Sequence, residues 1–220
     1  MKMILKELSN LSNDNCDFSP LKQYLTEGIQ HIIQLLQSNL NVLGRESYCV
    51  LGSLDQIKEE LIQLESKAAS YYLNCYLSEF TESFESLSVC VEHLSERKQG
   101  GLIVVERNEL LDPLIQKGTF IGAMVTPKLL ETIFYPGNPL HDGAVLIRGN
   151  VVVSAANVLP LSTGIKEGKK IGTRHRAALG ITELSDALAL VVSEETGKIS
   201  FAFKGSLNSI HTSQRIIFNQ

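Results

Sequence analysis

The chain has 220 residues, 44% hydrophobic and 20% charged, with no tryptophan and a formal net charge of −4. That composition suits one medium globular domain with an appendage, and the longest apolar run, Ala187 to Val192, is far too short to cross a membrane. No signal-like start is present, and the four cysteines, at 16, 49, 75 and 90, follow no regular spacing, so the chain reads as a reduced, cytoplasmic protein.

Charge is unevenly placed, with residues 1–98 at net −6 and residues 99–220 at net +2. No long basic tract or basic helical stripe occurs, so neither DNA nor a membrane is expected as a partner. One local cluster stands out. Lys166, Lys169, Lys170, Arg174 and Arg176 share a short stretch with the single acid Glu167, which suits one polyphosphate better than a duplex.

The first part of the chain reads as helices. Ser19 and Pro20 fit an N-cap and a first-turn proline, and Leu21, Leu25, Ile29, Ile32, Leu36 and Leu40 then recur on one helical face. Gly28 interrupts that face at a cost of about 1 kcal/mol relative to alanine. Ser53 with Gln56 has the form of a capping box opening a second helix. From there Leu54, Ile57, Leu61, Leu64, Ala68, Tyr71 and Cys75 alternate spacings of three and four. This is a heptad seam that needs a partner helix to cover it. The pattern resumes out of phase at Phe80, Phe84, Leu87, Val91 and Leu94 and stops at Gln99-Gly100-Gly101, so a kink or a new helix is expected near Ser78.

Beyond Gly101 the period changes to two and the apolar runs become β-branched. Strands are expected at Leu102–Glu106, Val145–Arg148, Val151–Ala155, Ala187–Val192 and Ile199–Phe203. Gly149-Asn150 and Glu194-Glu195-Thr196-Gly197 supply two of the connecting turns. Helices are expected from Thr126-Pro127 to about Phe134 and from Thr173 to Glu183. The expected fold is therefore α+β, in α/β layers: a mixed central sheet flanked by helices, preceded by an all-α region. The boundary is placed between an N-terminal helical region, 1–80, and a second domain, 81–220.

Three clusters in the second domain carry chemistry. His141-Asp142-Gly143-Ala144 sets an imidazole and a carboxylate beside a glycine that admits close approach to the backbone, although Asp-Gly is also a common turn. Gly172-Thr173-Arg174-His175-Arg176 enters a helix, where backbone N–H groups, the helix dipole and guanidinium forks all favour phosphate. Cations at a helix start oppose the dipole, so a compensating anion is expected there. Ser193-Glu194-Glu195 closes a strand with paired acids that can decorate a turn or hold a divalent cation. Together these form the inventory of a nucleotidyl transfer, with no Walker-type or dinucleotide fingerprint present.

These strings, with Leu159-Pro160-Leu161-Ser162 between them, resemble in order and spacing the diadenylate cyclase domain over roughly residues 100–205. The resemblance implies condensation of two ATP into cyclic di-AMP with release of two pyrophosphates. It assigns Asp142 to the ribose 3′-hydroxyl, with Gly143 and Ala144 against the nucleotide and Leu159 at the adenine. Thr173, Arg174 and Arg176 correspond to the triphosphate binders, supported by His175, and Ser193 to a phosphate contact. His141 and Glu195 correspond to ligands of a divalent metal ion, magnesium, manganese or cobalt, with Glu194 a weaker candidate.

An amphipathic helical region ahead of the cyclase domain, without three hydrophobic spans and without a DNA-scanning module, is similar to the sporulation-type member of that family. That likeness implies self-association: a dimer for catalysis and a higher homo-oligomer, with a hexamer among the candidates, through helices that modulate assembly and activity. The rival reading is a non-catalytic adenine-nucleotide sensor or an oligomeric scaffold.

Overall fold

Residues 17–43, 49–164 and 171–210 are described in a computed structural model of the chain, and among them five helices and seven strands form. The helices are α1 (Ser19–Val42), α2 (Val50–Ser78), α3 (Phe84–Glu96), α4 (Pro127–Ile133) and α5 (Thr173–Leu184). The strands are β1 (Gly101–Glu106), β2 (Thr119–Met124), β3 (Ala144–Arg148), β4 (Val151–Asn157), β5 (Leu188–Val192), β6 (Ile199–Phe203) and β7 (Ser206–Ile210). Two compact units result, Met1–Cys75 and Tyr76–Gln220. Lys166, Glu167, Lys169 and Lys170 lie outside the described residues.

In the first unit, α1 and α2 bury Ile32, Ile57 and Leu64 together, with Leu25 and Leu35 packed alongside. Gly28 does not interrupt α1. A Cβ there would stand 2.4 Å from the Leu64 side chain, so the glycine lets the two helices come close. The N-terminus departs from expectation by one step: Ser19 is the first helical residue, and its N–H donates to the Asp17 carboxylate at 2.9 Å. The capping box does not form, because α2 already begins at Val50 and Gln56 donates along the helix to Glu60.

Only part of each seam is covered. Ile57 and Leu64 are buried, but Leu54 and Leu61 are exposed, as are Ile29, Ile33, Leu36 and Leu40 on α1 and Leu43 just past its end. Those five alternate spacings of four and three, the rhythm of a second coiled-coil stripe. No described helix is long and apolar enough to cross a membrane. Among the described residues Cys49 and Cys90 are free cysteines.

The second unit is a three-layer arrangement around a single sheet of order β2-β4-β3-β1-β5-β6-β7. β1 pairs with β3 in parallel, and every other pairing is antiparallel. Strand side chains alternate between faces. Leu102, Val104, Leu146, Ala189, Val191 and Ala202 meet Ala177, Ala178 and Ile181 of α5 on one face. Helices α3 and α4 pack together on the other, burying Leu87, Cys90, Val91, Leu94, Leu130 and Ile133. Leu87, Val91 and Leu94, after the phase slip at Ser78, therefore belong to the sheet's core, while Phe80 and Phe84 are half-buried. Burial there pushes the Cys90 thiol up to about 12.

The five expected strands and both expected helices form, within a residue or two at each end. The edge strands β2 and β7 were not anticipated. Most of β2 is exposed, with Phe120 and Met124 open to solvent, so it lacks a buried alternating face. At the Gly149-Asn150 turn, Asn150 reaches back to the segment before α3, its Oδ1 accepting from Thr81, Ser83 and the Glu82 N–H.

One charge network closes the sheet end formed by the last residues of β1 and β3. Glu106, 5% exposed, accepts Arg148 on both carboxylate oxygens and also the Leu111 N–H at 3.0 Å. Arg148 bridges onward to Asp112 at 2.9 Å, and Lys117 reaches the same acid. Arg148→Ala leaves a buried carboxylate with one backbone partner and is expected to cost about 2–4 kcal/mol in urea unfolding. Adding Glu106→Gln should recover part of that loss. No recovery would mean the arginine acts through packing rather than charge.

Candidate active site

The sheet register gathers the chemistry at one edge. β1 and β3 run in parallel, so their first residues lie together, and antiparallel β5 ends beside them with Val192 opposite Gly101. Antiparallel β4 also ends there, with Asn157 opposite Ala144. The loop before β3 carries His141 and Asp142, the turn after β5 carries Ser193 to Glu195, and the segment after β4 carries Leu159. All twelve expected site residues fall among the described residues.

Asp142 is exposed on a bend, with Gly143 at φ +111° and Ala144 buried as the first residue of β3. A Cβ at Gly143 would stand 2.7 Å from the Asn157 carbonyl, so conformation and space both require glycine. Asn157 fixes this corner. Its amide donates to the Ala144 carbonyl at 2.8 Å, and its Oδ1 accepts from the Gly118 N–H at 3.0 Å and the Ser154 hydroxyl at 2.9 Å. Sequence reasoning missed Asn157, because an asparagine at a strand end carries no signal of what it will tie together.

Thr173 is the first residue of α5, following the extended Gly172, which offers no side-chain cap. Among the described residues no N-cap side chain takes up the first N–H groups of α5, which is what an anion site needs. Arg174 donates to Glu194 at 2.7 Å and comes within 3.5 Å of the His141 carbonyl, joining three of the clusters. Arg176 comes within 3.5 Å of the Ser162 carbonyl. The Nε atoms of both arginines are buried and have no partner among the described residues. Two cationic N–H donors with no acceptor are expensive unless an anion arrives.

Gly100 was read from sequence only as a helix stop. Here it clears the space for the Arg174–Glu194 pair, since a Cβ would lie 2.5 Å from Arg174 Nη1 and 2.9 Å from Glu194 Oε2. Glu194 thus supplies the compensating anion that cations at a helix start call for. Ser193 donates its N–H to the Lys198 carbonyl at 3.0 Å, and its hydroxyl accepts the Thr196 N–H at 3.3 Å, leaving the hydroxyl proton to donate. Leu159 is 8% exposed.

His141 and Glu195 are the residues here that could hold a divalent metal ion, with substrate and water supplying the other ligands. His141 Nδ1 lies 2.5 Å from the Asn138 carbonyl, which fixes the ring and leaves Nε2 to ligate. Glu195 is exposed, and no group of three or more histidine, cysteine or acidic side chains poised for a metal occurs among the described residues. One imidazole and one carboxylate suit a divalent ion whose other ligands are phosphate oxygens and water.

The chain is similar to known proteins over both parts of its length. Residues 88–207 match the family described as DisA bacterial checkpoint controller nucleotide-binding, and residues 12–80 match the family described as diadenylate cyclase CdaS, N-terminal. The chain is 49% identical to diadenylate cyclase CdaS of Bacillus thuringiensis, over 86% of this chain and 96% of that one. It is 51% identical to cyclic di-AMP synthase CdaS of Bacillus subtilis, over 76% of this chain and 81% of that one. Among solved structures, a protein from Bacillus cereus titled a hypothetical membrane spanning protein superposes with a TM-score of 0.76 at 49% identity, covering 88% of this chain and 95% of that one. A double mutant of DacA from Staphylococcus aureus superposes with a TM-score of 0.56 at 44% identity, over 58% and 85% of the two chains.

Burial holds the His175 imidazole below its ordinary value. The unfolded chain takes up a proton near pH ~6.5 that the folded chain refuses, so stability is full above that value and declines as pH falls below it. His175→Gln is expected to flatten the fall in melting temperature between about pH 7 and pH 5. Calorimetry across that range checks it, and an unchanged slope would place the acid-sensitive group elsewhere.

Proposed function

The chain belongs to the diadenylate cyclase family, and from that premise we propose how its own residues carry out the family's reaction. The reaction is condensation of two ATP into cyclic di-AMP with release of two pyrophosphates. The observation that carries the residue assignment is the pair of arginines at the start of α5, each with a buried Nε–H awaiting an acceptor, in a site that also holds an exposed carboxylate.

Arg174, Arg176 and the first N–H groups of α5, with Thr173 and Ser193, bind the triphosphate. Phosphate competes with Glu194 for Arg174, while His175 packs beneath as a neutral ring. Asp142 orients the ribose 3′-hydroxyl and accepts its proton, and Gly143 and Ala144 let the nucleotide lie against the backbone. Leu159 borders the adenine. His141 and Glu195 hold a divalent ion, magnesium, manganese or cobalt, which neutralises charge on the departing pyrophosphate. Glu194 is bound to Arg174 and so is the weakest of the metal candidates.

Displacement at the α-phosphorus needs the attacking 3′-oxygen in line with the leaving group. One bound ATP cannot present its own 3′-oxygen to its own α-phosphate in that way. Two sites face to face can, so each nucleotide is both nucleophile and electrophile, and the active species is a dimer. The exposed apolar stripe of α1 draws chains into a higher homo-oligomer, up to a hexamer. That assembly holds cyclase domains out of productive register and so restrains activity. The helical region extends to residue 80, and the protein works in the cytoplasm without DNA or membrane.

Asp142→Asn should nearly abolish cyclic di-AMP formation from ATP while leaving ATP binding intact, because it keeps the shape and removes the base. Substantial turnover would reduce Asp142 to a turn residue. Arg174→Ala should weaken ATP binding by about ten- to a hundred-fold, the worth of a charge-assisted hydrogen bond of roughly 1.5–3 kcal/mol. Unchanged affinity by titration calorimetry would put Arg174 outside the phosphate site. The double change Leu36→Glu and Leu40→Glu alters exposed positions only, and should reduce the particle size in light scattering and raise specific activity. A smaller particle with lower activity would mean the helices promote productive pairing.

A further inference from the structure

Arg176, Gly180 and Glu183 fall on one face of α5 by their spacing of four and three, and that face holds the segment Pro160–Ser162. The Arg176 carbonyl accepts the Ser162 N–H at 3.0 Å, and Glu183 Oε1 accepts the Ser162 hydroxyl proton at 2.6 Å. Between these two anchors Gly180 has no side chain. A Cβ there would stand 2.1 Å from the Pro160 oxygen and 2.7 Å from the Ser162 nitrogen, both backbone atoms that cannot turn aside. Ser162 is 2% exposed, and its hydroxyl is used in both directions, since it also accepts the Gly164 N–H at 3.3 Å. A buried hydroxyl donating to a carboxylate is among the stronger hydrogen bonds a neutral side chain makes.

The clamp joins two ends of one ligand site. Leu159 directly precedes Pro160 on one side. On the other, Arg176 is itself the first anchor and Arg174 lies two residues before it. We propose that Ser162 and Glu183 are positioning residues that set the base-binding segment at a fixed distance from the phosphate-binding start of α5. The proposal rests on the cyclase site described above and adds how base and phosphate recognition are coupled. Neither residue touches the reacting atoms. Each acts through the placement of Leu159 against Arg174 and Arg176.

Loosening the clamp should cost the base contacts and spare the phosphate contacts. The test is titration calorimetry on the full chain with two ligands, ATP and inorganic triphosphate, each in the presence of magnesium. Ser162→Ala is expected to weaken ATP about ten-fold, the scale of one hydrogen bond to a charged group, with triphosphate affinity unchanged. Ser162→Thr, which keeps the donor, should restore ATP binding, and Glu183→Gln, which keeps an acceptor, should stay near wild type. Glu183→Ala, at an exposed position, should reproduce Ser162→Ala and serves in its place if that variant does not fold. Equal loss for both ligands, or no loss for either, overturns the proposal. A wild-type chain that binds neither ligand would instead sink the cyclase reading on which it rests.

Discussion

Strand β1 is the constraint on which the rest of the second unit depends. All six of its residues are buried, and it is hydrogen-bonded on both edges, to β3 in parallel and to β5 in antiparallel. A strand covered on both faces and both edges has no freedom of register. A slip of one residue would exchange the side chains facing α5 for those facing α3 and α4. That fixed register is what places the loop before β3, the end of β4 and the turn after β5 at a common edge. His141–Ala144, Leu159 and Ser193–Glu195, far apart along the chain, reach one edge for this reason.

Within the site, precision comes from backbone contacts rather than from bulk packing. Asn157 spends both ends of its amide on neighbouring segments, and Gly143 and Gly180 permit approaches that any side chain would block. Buried polar groups that are fully paired hold a single arrangement, because each alternative strands a donor or an acceptor. The arginines are the opposite case. Their Nε–H groups are buried without a partner among the described residues, and the Arg174–Glu194 pair holds one guanidinium in place.

The helical unit is incomplete in another sense. Its internal core is small, Ile32, Ile57 and Leu64 with two neighbours, while a longer apolar stripe on α1 lies open to water. An uncovered stripe in heptad rhythm favours association with further helices. The active site and the helical unit thus both leave groups unsatisfied in one chain. In the first these are cationic N–H donors, in the second apolar side chains.

Sequence alone determined the change from helical to alternating period at Gly101, the five buried strands, and the helices after Thr126 and Gly172. Those elements bury a face, and burial writes a period into the residues. It also identified the residues of His141–Ala144, Thr173–Arg176 and Ser193–Glu195 as chemical clusters, since charged and nucleophilic side chains beside glycine are visible in any order. The edge strands β2 and β7 were hidden because exposed strands carry little alternation. The heptad seam of α2 divided into a covered and an open half only once α1 was seen to reach Ile57 and Leu64 and to leave Leu54 and Leu61. Asn157, Gly100, Gly180 and the Ser162–Glu183 bond were decided by tertiary structure alone. Their roles are contacts between segments distant along the chain, and a contact of that kind leaves no local period, spacing or composition to read.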